Sequence, residues 1–164
     1  MNTDKDIERA LHKMQEICSS KETCSQEVLV KLLKMNLIHD EAYKIIETLK
    51  LEKYIDDQRF ANYFVRDKLR FNKWGKNKIK FELQKKITDK QLIVNALENV
   101  NIEESNEILE KELLKKWKSI EKKEEEPYKK LQKLIRLGLS KGFEYQEVMN
   151  LSKKIMKNEK ISEI

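Results

Sequence analysis

Three of the five arginines in this sequence, Arg59, Arg66 and Arg70, follow one another at intervals of seven and four residues. That spacing returns a side chain to one face of an α-helix. Lys73 and Tyr63 fall close to the same face. A guanidinium is a planar fork that grips phosphate or carboxylate through two parallel hydrogen bonds and stacks on flat groups. In a chain that otherwise draws its positive charge from lysine, this clustering points to an anionic partner. A solvated helix face carrying its arginines by chance is the plainer alternative. The same region holds Lys76, Lys78, Lys85 and Lys86. From Arg66 to Lys90 there are ten basic residues against three acidic ones, a local excess of +7, while the whole chain carries +6. The excess is therefore concentrated, which directs a field toward an anionic partner, whereas a diffuse excess mainly affects solubility.

Catalytic chemistry has no comparable signature. There is no Gly-rich phosphate loop, no H-E-x-x-H and no G-x-S-x-G. Asp56 and Asp57 are adjacent, so their side chains diverge, and a helix-capping role suits them better than an acid–base pair. Glu124, Glu125 and Glu126 read as a solvated turn. Cys18 and Cys24 form no C-x-x-C, and His12 and His39 stand at no metal-ligand spacing from them, so the thiols read as buried or idle. No metal or cofactor is expected. The Asn150-Leu-Ser sequon reads as chance without a secretory signal.

These side chains must be carried by helices. The 164 residues include 39% hydrophobic and 39% charged ones, with three Gly and one Pro. Apolar residues suffice for a core, tight turns are scarce, and an all-α chain is predicted. No apolar run approaches the roughly 18–20 residues of a membrane span. The charged start, Met1 to Met14, lacks the apolar core of a signal peptide, so a cytosolic protein is expected.

The sequence repeats at about 50 residues. The segments 29–49, 79–97 and 131–155 each read as an apolar-periodic helix, a short break and a second such helix, with room for a further helix before each pair. This predicts three tandem three-helix repeats, 1–55, a basic 56–101, and 102–164 ending in a frayed terminus. Core stripes are expected at Ile7, Leu11, Met14 and Cys18; Val28, Leu29, Leu32 and Leu33; Ala42, Ile45, Ile46 and Leu49; Ile79, Leu83 and Ile87; Leu92, Ile93, Ala96, Leu97 and Val100; Leu109, Leu113, Trp117 and Ile120; and Tyr145, Val148, Met149 and Ile155. In the fourth helix Phe60, Ala61, Phe64 and Phe71 share the core side. Ser25 is expected to cap the second helix, Asp56 the fourth, and a Thr88-x-x-Gln91 box the sixth. Pro127 suits the first turn of the eighth. Trp74 reads as a wedge between the fourth and fifth helices. Phe81, flanked by Lys78 and Lys85 in projection, could stack on a base, but packing against a neighbouring repeat is the favoured reading.

Residues 54–86 resemble the RecX family, regulators of the RecA recombinase. The resemblance rests on Asp56-Asp57, Phe60-Ala61 and Phe64-Val65-Arg66, then Gly75, Lys78-Ile79 and Leu83. Residues 136–148, RLGLSKGFEYQEV, resemble the family's usual third-repeat ending. The Gly that commonly follows the fifth helix is missing at Lys86-Ile87, and the first repeat is weakly matched. The resemblance implies three three-helix repeats in an elongated, curved array lying in the groove of the RecA–single-stranded DNA filament. It implies a non-catalytic monomer that modulates RecA, usually by inhibition, in DNA repair. Arg59, Arg66, Arg70, Lys73, Lys76, Lys78, Lys85 and Lys86 would then face DNA phosphates or acidic RecA surface. An independent helical DNA- or RNA-binding protein, such as a transcription regulator, is the alternative, although the sixth helix (DKQLIVNALENV) has little with which to read bases.

Overall fold

Several helix starts in this chain are set by short-range capping. Thr3 accepts from the Asp6 N–H while Asp6 accepts from the Thr3 N–H, and this reciprocal box opens α1, Asp4–Ser20. A computed structural model describes residues 2–162, with side chains through Asn158. Among the described residues the secondary structure is helical throughout. After α1 come α2 (Ser25–Lys34), α3 (His39–Leu51), α4 (Asp57–Arg70), α5 (Lys76–Leu83) and α6 (Lys90–Glu98). The last three are α7 (Ile102–Ile120), α8 (Pro127–Ser140) and α9 (Tyr145–Ser162). The last residues, expected to fray, are instead helical through Ser162; residues 163–164 lie outside the described residues. No described helix is long and apolar enough to cross a membrane.

With glycine scarce, three helices end on a non-glycine residue in the left-handed region: Asn36 at φ 65°, Lys53 at φ 63° and Lys73 at φ 59°. In each case the next amide turns back onto the helix. The Leu37, Tyr54 and Trp74 N–H groups donate to the carbonyls of Leu32, Leu49 and Lys68. Two of the expected caps differ from the observed ones. Ser25 is the first residue of α2, not its cap. Its N–H and hydroxyl both donate to the Asp57 carboxylate, at 2.8 Å each, so a tertiary partner replaces the local one. At α6 the carboxylate of Asp89 accepts from the Gln91 N–H at 2.9 Å, and the Gln91 amide reaches Asn95. The shorter Asp89 span takes the role expected of the Thr88 box. Pro127 opens α8 as predicted.

Packing groups the described helices into two compact units. The first is Met1–Phe64 with Leu83–Ala96, and the second is Val65–Glu82 with Leu97–Ile164. In the first, Ala10, Met14, Val28, Leu32, Ala42, Ile45, Ile46, Leu49 and Ile55 form a continuous core. In the second, Leu109, Leu113, Trp117, Ile120, Leu134, Phe143, Val148 and Ile155 do so. The predicted stripes of α3 and α7 are buried in full. Ile79, Leu83 and Ile87 are likewise buried, at 0%, 0% and 4% exposure.

Three apolar assignments are corrected. Phe71 is 80% exposed. The buried side of α4 shifts along its length, from Phe60, Ala61 and Phe64 in the first unit to Val65 and Leu69 in the second. At 100° per residue Leu69 and Phe71 stand 200° apart, so burial of Leu69 turns Phe71 outward. Phe81 is 60% exposed; α5 has only eight residues and its buried side is taken by Ile79 and Leu83. Tyr145 is 51% exposed because it is the first residue of α9, ahead of the turn that buries Val148.

The Trp74-Gly75 pair has a structural use within the second unit. The Gly75 N–H donates to the Lys141 carbonyl at 2.7 Å and the Asn77 N–H to the Gly142 carbonyl at 3.0 Å. A Cβ on Gly75 would lie 2.5 Å from the Gly142 carbonyl and the Phe143 nitrogen. Gly142, at φ 92°, ends α8. Two glycine backbones thus meet at a distance no side chain permits.

Candidate nucleic-acid interface

The acidic couple ahead of the arginines starts two helices. Asp56 accepts from the Arg59 N–H at 3.0 Å and caps its own helix, while Asp57 caps α2. Adjacent carboxylates that diverge therefore start two different helices. Among the described residues no group of His, Cys, Asp and Glu is placed to hold a metal ion. Cys18 and Cys24 are free thiols. Cys24 is buried, its Sγ directed at the Lys86 carbonyl at 3.6 Å, and burial pushes its pKa up.

The three arginines all reach solvent, but they are not equivalent. Arg59, in the first unit, donates through Nε to Glu22 at 2.8 Å and through its terminal nitrogens to the Lys53 and Tyr54 carbonyls at 3.4 Å. Its fork is largely occupied in holding the α3–α4 turn. Arg70, in the second unit, grips Glu104 through Nε at 2.7 Å and Nη2 at 3.4 Å. That hydrogen bond, then the charge, holds the Glu104 carboxyl below the ordinary carboxylate range and raises Arg70. Arg66 is exposed and has no carboxylate partner among the described residues. It is the arginine whose bidentate face is open to an incoming anion.

The lysines divide in the same way. In the second unit Lys73 donates its ammonium to the Arg70 carbonyl. Lys78 and Lys68 stand over the Trp74 ring at 4.7 and 5.4 Å. Trp74 is half-buried, and both cations lie against its ring. Lys76 opens α5 and lines a small cavity beside Ser105, Phe143 and Glu147. In the first unit Lys85 is exposed and Lys86 pairs with Glu27 at 2.6 Å. Of the residues flagged in the third repeat, Glu125 is not merely solvated: both its oxygens accept from Lys133, at 2.7 and 2.8 Å.

One basic surface escaped the sequence reading. Lys21, Lys31 and Lys34 line an open cleft together with Lys85 and Lys86, all within the first unit. Counting charge along the chain could not find it, because the two groups stand more than fifty residues apart. The signal that existed was the pair Lys31 and Lys34 at helical spacing in the last turn of α2.

Comparison with known proteins gives a consistent result. Two family models match, described as RecX, second three-helix domain, over residues 56–97, and RecX, third three-helix domain, over residues 103–150. Together they span more than half of the chain. A Regulatory protein RecX of Clostridium perfringens (strain 13 / Type A) is 32% identical over 134 residues, which is 82% of this chain and 62% of the relative. One from Clostridium botulinum (strain Eklund 17B / Type B) is 36% identical over 114 residues, 70% of this chain and 53% of the relative. The chain thus spans less than two thirds of the length of these curated relatives. The crystal structure of RecX from Lactobacillus salivarius shares the fold, with a TM-score of 0.84 at 22% identity, covering 93% of this chain and 98% of that one.

Proposed function

The chain belongs to the RecX family, and from that membership we propose that it is a non-catalytic regulator that binds the RecA–single-stranded DNA filament and inhibits RecA in DNA repair. The observation that carries the reading is the match of two RecX models to consecutive stretches, 56–97 and 103–150. On this reading the protein acts as a cytoplasmic monomer. Its helices form the repeats 1–55, 56–101 and 102–164, and its basic side chains face the filament groove. Many weak contacts along a groove sum, so a modest net charge suffices.

The geometry ranks the contacts within that reading. Arg66 leads, because its fork is open. Arg59 and Arg70 contribute less, since binding a phosphate means sharing a guanidinium already held by Glu22 or Glu104. Lys73, Lys76, Lys78, Lys85 and Lys86 supply point charges.

The experiment is a salt titration on RecA-coated and on bare single-stranded DNA. Wild type binds the coated strand more tightly. Arg66→Ala weakens that binding and lowers the salt slope by about 0.7 to 0.9, the value of one phosphate contact. Equal binding to both substrates by wild type would favour an independent nucleic-acid-binding protein. An unchanged slope for a folded Arg66→Ala would mean that this face is only solvated. The search would then move to the third repeat, where Lys130 and Lys133 are tied to the Glu121 carbonyl and to Glu125 while Lys129 and Arg136 are exposed.

A further inference from the structure

The cleft of the first unit that collects Lys21, Lys31, Lys34, Lys85 and Lys86 has a volume of about 430 Å³. Its one carboxylate is Glu27, already paired with Lys86 at 2.6 Å. Lys21, Lys31 and Lys34 have no ion pair among the described residues. The cations converge from three places: the turn after α1, the last turn of α2, and the end of α5. A helix C-terminus attracts lysines on its own account. Lys21, the pair Lys31 and Lys34, and the pair Lys85 and Lys86 each stand at or just past such an end, but that does not explain why three separate helix ends bring their cations to one concavity. Ammonium groups gathered around one concavity repel one another, and the concavity focuses their field on whatever anion enters.

We propose that this cleft is a binding site for the phosphodiester backbone of a single nucleic-acid strand. The proposal rests on the reading above only in taking a nucleic acid as the partner; the cleft binds the strand whether or not RecA coats it. Two features favour phosphate over an acidic protein segment. The cations are all lysines, point charges that suit a monodentate, sequence-independent track of phosphates. The lining offers a single apolar side chain, Val30, whereas a peptide needs buried apolar anchors for its affinity.

The test uses the full chain and a fluorescent oligothymidylate, bare and RecA-coated, titrated across salt concentration. Lys21→Gln/Lys31→Gln/Lys34→Gln lowers affinity for the bare strand and reduces the salt slope by about 2, since each single-strand phosphate contact contributes about 0.7. Glu27→Gln moves the other way. Removing the one negative charge beside the strand raises affinity about three- to fivefold at low salt, a gain that a damaged fold cannot mimic. The proposal is overturned if neither variant changes affinity or slope, or if wild type does not bind the bare strand at low salt. It is also overturned if the triple variant loses binding to poly-glutamate while keeping its DNA affinity, which would assign the cleft to an acidic protein. A wild type that binds both substrates equally, with both variants behaving as stated, would refute the filament reading and leave the cleft assignment intact.

Discussion

Replacing Gly75 with Ala asks whether the α4–α5 turn is held by backbone contact. The added methyl would sit 2.5 Å from the Gly142 carbonyl carbon and oxygen and from the Phe143 nitrogen. Ordinary contacts begin near 3.4 Å, so the two turns must part by about an ångström. No flexible side chain can absorb that movement, because all three atoms are backbone. Parting the turns breaks the 2.7 Å Gly75–Lys141 bond and stretches the 3.0 Å Asn77–Gly142 bond. At a net 0.5–1.5 kcal/mol each, with overpacking adding about 1–3 kcal/mol, the loss is about 2–6 kcal/mol. For a chain of this length that corresponds to a fall in melting temperature of roughly 5–20 °C. Thermal unfolding followed by circular dichroism measures it directly. A variant melting within a degree of wild type would show that the turns are not in contact and would refute the use assigned here to the Trp74-Gly75 pair.

Two other perturbations probe the packing and the charges. Leu83→Ala removes a side chain with 0% exposure and is expected to cost about 2–5 kcal/mol in urea unfolding; an unchanged midpoint would mean that α5 is assigned the wrong face. Glu104→Gln tests the Arg70 pair. A carboxyl held low in the folded state stabilises above its unfolded pKa and loses that contribution as pH falls through the folded value. Wild type should therefore lose about 1–2 °C more than the variant between pH 6 and pH 3, a small effect because the pair is exposed; parallel melting curves would show that the pair contributes nothing.

Periodicity and local capping were legible without coordinates. A helix repeats every 100°, so Ile45, Ile46 and Leu49, or Leu109, Leu113 and Trp117, announce a buried stripe whatever they pack against. Asp56 and Pro127 act within a turn of their own positions, and their roles followed from neighbours in the chain. The arginine spacing, too, placed three guanidiniums in solvent as expected.

What those guanidiniums do there was decided by distant carboxylates. Glu22 reaches Arg59 and Glu104 reaches Arg70 across 37 and 34 residues, and Arg66 alone of the three keeps an open fork. Asp57 satisfies the start of α2 across 32 residues. Phe71 was misplaced because a single helical projection assumes one buried side, while α4 changes its buried side; Phe81 was misplaced because a second buried side was expected of α5, which is too short to hide two. The lysine cleft is a further case, since its members are neighbours only after folding. Helix formation depends on interactions within four residues, which a sequence displays. The pairing of charges and the choice of buried face depend on which helices meet, and only the tertiary structure settles that.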